Sequence, residues 1–255
     1  MGLISKKFFG AVSALCVAGA ATCHGQGRLV GQWDIKAHKF VFTNDAAQWV
    51  SPQGVVLEFS TNEWVEAEGA LRNVGGVEAE GLRPGFESAT NKTVRAGVLL
   101  VKPVDAPHRV RTTLFCGHHT ARLANFPGGG LDGEWDSLGP SEGVQVWVNR
   151  DEAAPLQAGV WQFVSFVAPE EMPLERVMVF ADPFVEWKRG FEGDVKAVVL
   201  LSGEVSEAAL RGMQSALALL YGVAGIPSAS GYERREAQAT GFSAQGVWGT
   251  LFMVR

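Results

Sequence analysis

Residues 191–206 read Phe191-Glu192-Gly193-Asp194-Val195-Lys196-Ala197-Val198-Val199-Leu200-Leu201-Ser202-Gly203-Glu204-Val205-Ser206. The Gly-Asp pair suits a chain reversal at positive φ. The Val- and Leu-rich run at 195–201 predicts a strand. Ser206 then has the chemistry of a helix cap, and Glu207 favours the positive end of the helix dipole. Leu210, Met213, Leu217, Leu220 and Tyr221 recur at helical spacing, and Gly222 can stop that helix in a left-handed conformation. Such an apolar stripe predicts packing on a sheet rather than on a partner.

Upstream, the chain is rich in Val, Phe and Trp, with 31 Gly and 11 Pro scattered between apolar runs. That is the texture of short strands joined by turns. Further strands are expected at 39–43, 55–59, 94–102, 111–116, 144–149, 162–168 and 176–181. Val146-Trp147-Val148 alternates poorly, as a central strand covered on both faces would. Residues 61–90 are ambiguous, with Gly75-Gly76 and Pro84-Gly85 breaking any long element. Beyond Gly225, 225–231 reads as loop, Glu233-Arg234-Arg235-Glu236 tolerates helix, and 247–254 reads as a strand added to the fold.

The N-terminus predicts a removable leader over 1–25. Lys6 and Lys7 precede an uncharged apolar stretch, and Ala18-Gly19-Ala20 and Gly19-Ala20-Ala21 offer small residues for cleavage. The stretch is shorter than the roughly 20 apolar residues of a spanning helix. Cys23 raises the alternative of a lipid anchor, though Ala20-Ala21-Thr22 fits a lipidation site poorly. The whole chain carries 22 Lys+Arg and 27 Asp+Glu; without Lys6 and Lys7 the balance becomes 20 against 27, a net charge of −7. An acidic domain lacks the footprint of a nucleic-acid binder and is not drawn to anionic membranes. Outside the leader and its border only Cys116 remains, so no disulfide framework supports the fold and the core must.

The quoted stretch, with Leu219-Leu220-Tyr221-Gly222 closing its helix, resembles the C-terminal signature of bacterial laminin-G-like, concanavalin A-like lectin/glucanase domains. Val56-Leu57-Glu58-Phe59 is similar to an early strand of that family. Val146-Trp147-Val148-Asn149 with Gly159-Val160-Trp161-Gln162-Phe163-Val164 resembles its hairpin region. Departures are visible: Ala197 where Glu is frequent, Trp147 where Tyr is typical, Arg150 where Gly is usual, and a tail after Gly225 outside the common pattern. The resemblance implies an all-β, antiparallel two-sheet jelly-roll sandwich over 26–225. One C-terminal amphipathic helix would cover an edge or flank, and 226–255 would form an extension.

Glucanase chemistry needs two carboxylates about 5–5.5 Å apart for retention. Glu134-Trp135-Asp136-Ser137-Leu138-Gly139 lacks the last acid of a Glu-x-Asp-x-x-Glu run, and Glu78 with Glu80 offers a same-face pair only if it lies on a strand. No catalytic residue is assigned. Asp132, Glu134 and Asp136 in a glycine-rich loop are candidate Ca²⁺ ligands, as oxygen donors suit that ion. His108, Cys116, His118 and His119 offer zinc-type donors without a second spaced pair. No nucleophile elbow, phosphate loop or dinucleotide fingerprint occurs.

Trp135, Trp161 and Trp187 are candidate ligand-binding residues, because an indole face can stack on a sugar. The expected function is a secreted, periplasmic or cell-surface recognition module, non-catalytic, for carbohydrate or a protein partner. A glucanase-type hydrolase and a structural component of an envelope assembly are the alternatives.

Overall fold

A computed structural model describes residues 27–37, 40–43, 45–104, 112–117, 121–125, 143–152, 154, 156–181 and 190–244. Antiparallel strands hold the largest share of the described residues. The largest sheet runs β12 (Asp151–Glu152), β11 (Gln145–Val148), β13 (Gln162–Pro173), β8 (Thr93–Pro103), β15 (Gly193–Ser202), β6 (Ala70–Asn73) and β5 (Trp64–Ala67), and β1 (Arg28–Asp34) also pairs with β15. Strand β6 takes the first residues of β15 and β1 takes the rest.

A second layer comprises two smaller sheets. One is β2 (Phe40–Thr43), β3 (Ala46–Val50), β4 (Val56–Ser60) and β7 (Arg83–Pro84). The other is β10 (Ala121–Asn125), β9 (Thr112–Gly117) and β14 (Val177–Val179). A bridge joins them, with Leu82 and Val179 exchanging backbone hydrogen bonds of 2.8 and 3.0 Å. Between the layers lies the main core, where Leu99, Val164, Phe166 and Val198 of the large sheet meet Trp49, Leu57, Phe115 and Val179. The architecture is sandwich-like.

Every segment expected as a strand up to 201 contains one. Strand β11 lies second from the rim rather than at the centre, but both its faces are covered, with Val146 and Val148 on the main core and Trp147 on the opposite side. The ambiguous 61–90 region holds the hairpin β5–β6, the 3₁₀ turn Gly76–Glu78, β7 and the one-turn helix α1 (Phe86–Ala89).

Helix α2 (Glu207–Tyr221) forms where the stripe predicts it. Ser206 Oγ accepts from Ala209 N, and Gly222 closes the helix at φ 67°. Its position differs from the expectation. It covers the face of the large sheet rather than an edge: Leu210, Met213 and Leu217 bury against Val98, Leu100, Phe163 and Val199. Successive side chains of β8 and β15 therefore enter two different cores, which is why these strands read as near-continuous apolar runs. The helix is not alone. In the extension, α3 (Gly231–Ala239) starts from a capping box in which Ser230 and Glu233 bond each other's backbone N–H groups, and Ala237 packs into the α2 layer. The expected strand at 247–254 lies outside the described residues.

The Gly193-Asp194 pair is a strand start rather than a positive-φ reversal. Glycine is required there for closeness instead: a Cβ on Gly193 would sit 2.6 Å from Lys102 O and 2.7 Å from the Phe191 ring. Among the described residues, no helix is long and apolar enough to cross a membrane.

Candidate functional site

Strand β15 pairs Val195 with Val101 and Ala197 with Leu100, so Lys196 is the extra residue of a β-bulge. A bulge re-aims a side chain. Here it sends Lys196 out on the helix side of the sheet, where its Nζ lies 4.1 Å from the centroid of the Trp161 ring and 5.6 Å from that of Tyr221. Trp161 precedes β13 and is half-buried; Tyr221 ends α2. The Trp161 ring also meets Lys102 Nζ at 5.3 Å, and the Tyr221 ring meets Lys36 Nζ at 4.9 Å. An ammonium group over an aromatic face is attracted by the ring's negative quadrupole.

Beneath these cations sits Asp194, only 2% exposed. It is directly cross-strand from Arg72 on β6 and Lys102 on β8. Arg72 grips it bidentately, Nε to Oδ1 at 2.7 Å and Nη2 to Oδ2 at 3.1 Å, and Lys102 Nζ adds 2.8 Å to Oδ2. Burial alone would raise the acid's pKa, but the Arg72 and Lys102 hydrogen bonds and charges outweigh it and hold the carboxyl below its ordinary range.

A second carboxylate, Asp34, receives Tyr221 Oη at 2.9 Å and the backbone N–H groups of Lys36 and Ala37 at 3.1 and 3.0 Å. Burial, with the Asp34 charge and this hydrogen bond, pushes the Tyr221 phenol above its usual pKa. Lys36 Nζ donates 2.6 Å to the Leu220 carbonyl, where a cation complements the negative helix end.

Lys196 is the unusual member. Burial lowers its pKa, the Lys102 and Lys36 charges lower it further, and Asp194 only partly opposes them. Four cations thus converge on two carboxylates, both already engaged by protein donors, giving a locally positive patch on an acidic chain. Val104 and Val160, 40% and 46% exposed, flank it; the backbone bond from Gly159 N to Pro103 O, 2.7 Å, ties their two segments together. Aromatic faces, apolar rim and ammonium donors are the components that hold a polar ring with an acidic substituent.

Of the residues selected from sequence, Trp161 alone is placed in this cluster. Trp135, Trp187, Asp132, Glu134 and Asp136 lie outside the described residues, as do Cys23, His108, His118 and His119. Among the described residues no group of three or more His, Cys, Asp or Glu is arranged to hold a metal ion, and Cys116 is buried. Glu78 and Glu80 are not a same-face pair on a strand. Glu78 ends the 3₁₀ turn, and Glu80 follows it, exposed and 3.6 Å from Arg83.

Sequence reasoning missed Lys36, Arg72, Lys102, Asp194, Lys196 and Tyr221 as site residues. One signal was available: Lys196 is the only charge within the apolar run 195–201. A lysine there must either break the strand or be turned out of it.

Comparison with protein-family models, with curated proteins and with solved structures gives no match, and the chain is assigned to no family on that basis.

Proposed function

We propose that the protein is a secreted or cell-envelope recognition module of the concanavalin A-like, laminin-G-like jelly-roll class, non-catalytic, that binds carbohydrate at the Trp161–Lys196 patch. The observation that carries this reading is the bulged Lys196, held between the faces of Trp161 and Tyr221 and backed by Lys102 and Lys36. An aromatic face offers a stacking surface to a pyranose, and ammonium groups reward a carboxylate or sulfate on it. The preferred ligands are therefore acidic saccharides. The basic, apolar and small-residue parts of the leader support export, and the signature ending at Gly222 supports the fold class.

A glycan array displaying neutral, uronic-acid and sulfated oligosaccharides, probed with and without calcium, tests the reading. Binding to acidic glycans that is lost in Trp161→Ala and falls steeply with salt supports it. Absence of any glycan binding, or binding indifferent to Trp161, overturns it. Binding that needs calcium would move the site to Asp132, Glu134 and Asp136.

A further inference from the structure

Helix α2, the 222–229 loop and α3 surround a half-open cavity of about 420 Å³, within the range of small-molecule sites. Its walls are largely apolar, from Ala216, Leu219, Val223 and Ile226, with the Ser215 hydroxyl and the Arg234 guanidinium as polar points. Leu219, 66% exposed, forms part of the mouth. This cavity is distinct from the Trp161 patch. Leu219 and Tyr221 are two positions apart on α2, hence roughly 200° apart around it.

Arg234 is the only charged side chain in the lining, and it has no carboxylate or other hydrogen-bond partner among the described residues. The nearby acids are taken. Glu233 bonds Ser230 N at 2.8 Å and Arg150 at 3.4 Å, and Glu236 accepts from Ser206 Oγ at 2.9 Å. The position is also an unfavourable one for a cation, because Arg234 lies in the first turns of α3, near the positive end of its dipole. An arginine kept there, unneutralised and beside an apolar hollow, suits an anion that brings its own apolar body.

The hollow is preformed. Arg150 donates to the carbonyls of Pro227 and Arg211 at 3.3 and 3.2 Å and to Ser215 Oγ, while Ser215 Oγ donates to Pro227 O at 2.8 Å. These bonds fix the loop that forms the cavity floor against α2, so a ligand meets little ordering cost.

We infer that this cavity binds a small amphipathic carboxylate, its head paired with Arg234 and its chain lying along Leu219, Val223 and Ile226. Arginine suits the role because its planar fork matches a carboxylate.

Isothermal titration of the full-length chain with decanoate, decanol and acetate tests this. Decanoate should bind saturably and far more tightly than either, since decanol lacks the charge and acetate lacks the chain. Arg234→Gln should weaken decanoate about 10- to 100-fold, the usual weight of a charge-assisted hydrogen bond. Ala229→Trp, which fills the cavity from its exposed loop side, should abolish binding with an unchanged circular-dichroism melt. Trp161→Ala should leave it intact, which separates this inference from the carbohydrate reading. Equal binding of decanol and decanoate, binding unaffected by Arg234→Gln or by Ala229→Trp, or no saturable binding of decanoate would each overturn the assignment.

Discussion

Arg150, held at φ 90° in the β11–β12 turn, donates a hydrogen bond of 3.3 Å to the carbonyl of Pro227, 77 residues later. Left-handed backbone is costly for a residue with a Cβ, and glycine is the usual occupant of such a turn. The arginine is kept by what its side chain does. It also pairs with Glu233 of α3 at 3.4 Å, both partners being largely buried, and bonds Arg211 O and Ser215 Oγ of α2. An arginine at this turn and the continued tail after Gly225 are thus physically one feature. Arg150→Gly should relieve about 1 kcal/mol of backbone strain but lose several hydrogen bonds, one of them to a carboxylate, for a net destabilisation of about 1–3 kcal/mol. Urea unfolding gives the magnitude. Hydrogen exchange should locate the loosening at 225–240, and uniform exchange across the chain would contradict the clamp.

Asp194 is the acid on which Arg72 and Lys102 converge. Asp194→Asn leaves two cations facing each other over the sheet. Their side chains are 34% and 26% exposed, so solvent screens the loss to about 1–3 kcal/mol. The pH dependence has a definite sign. Because the folded-state pKa lies below the unfolded value of about 3.9, the stabilisation is fully present above that value and is lost as pH falls through the folded pKa. Melting profiles between pH 2 and 7 should show a steep acid limb in the wild type and a flatter one in the variant.

Folding favours the charge on Asp194 but disfavours the one on Lys196, although both make stability rise with pH. The lysine's pKa is lowered mainly by burial, so folding disfavours the charged amine, and stability on this account rises with pH between the folded pKa and the unfolded value of about 10.4. Lys196→Met keeps the packing against Trp161 and removes the charge. The variant should melt no lower than the wild type at pH 7 while losing acidic-glycan binding. A large drop in melting temperature would show that the amine supports the fold rather than a ligand.

A third polar feature lies inside the α2 layer. Gln214 Nε2 donates 2.6 Å to Ser165 Oγ, both residues being buried, and Gln214 Oε1 has no hydrogen-bond partner among the described residues. Ser165→Ala should cost about 1–3 kcal/mol, because it strands the amide in an apolar layer. Ser165→Ala with Gln214→Met should recover most of that loss. A double-mutant cycle by thermal denaturation measures the coupling.

Helix α2 shields a sheet face rather than an edge, and Leu217, fully buried against that face, reports on it. Leu217→Ala should destabilise by about 2–5 kcal/mol, the range for a core truncation. A helix lying only along an edge would lose much less in the same unfolding experiment.

The parts of this architecture legible in the sequence are those governed by local pattern. The cap at Ser206, the stop at Gly222 and the apolar strands β8, β13 and β15 follow from neighbours in the chain. Strand β1 does not. Its Gln32 and Asp34 look like surface residues, yet both are buried, satisfied by Ser243 O and Tyr221 Oη far along the sequence. The hairpin β5–β6 turns at Glu68 and Gly69, both at positive φ, and glutamate is not a residue that announces such a turn. Helix α3 carries its start signal, Ser230 followed by Glu233, but has no apolar stripe; Ala237 is its only buried residue. Trp161 was recognisable as an aromatic candidate. Its companions were not, because a one-residue bulge decides where Lys196 points, and strand periodicity cannot report an extra residue.

The order of the large sheet has one more consequence. Its main path ends in β12, whose two residues Asp151 and Glu152 are both exposed, and in β5, which carries exposed Glu66 and turns at exposed Glu68, while β1 borders β15 off that path. Two molecules meeting at the β12 or β5 rim oppose carboxylate to carboxylate, so neither of these rims offers a ready template on which a neighbour's strand can grow. These two rims thus keep one molecule's sheet from continuing into the next.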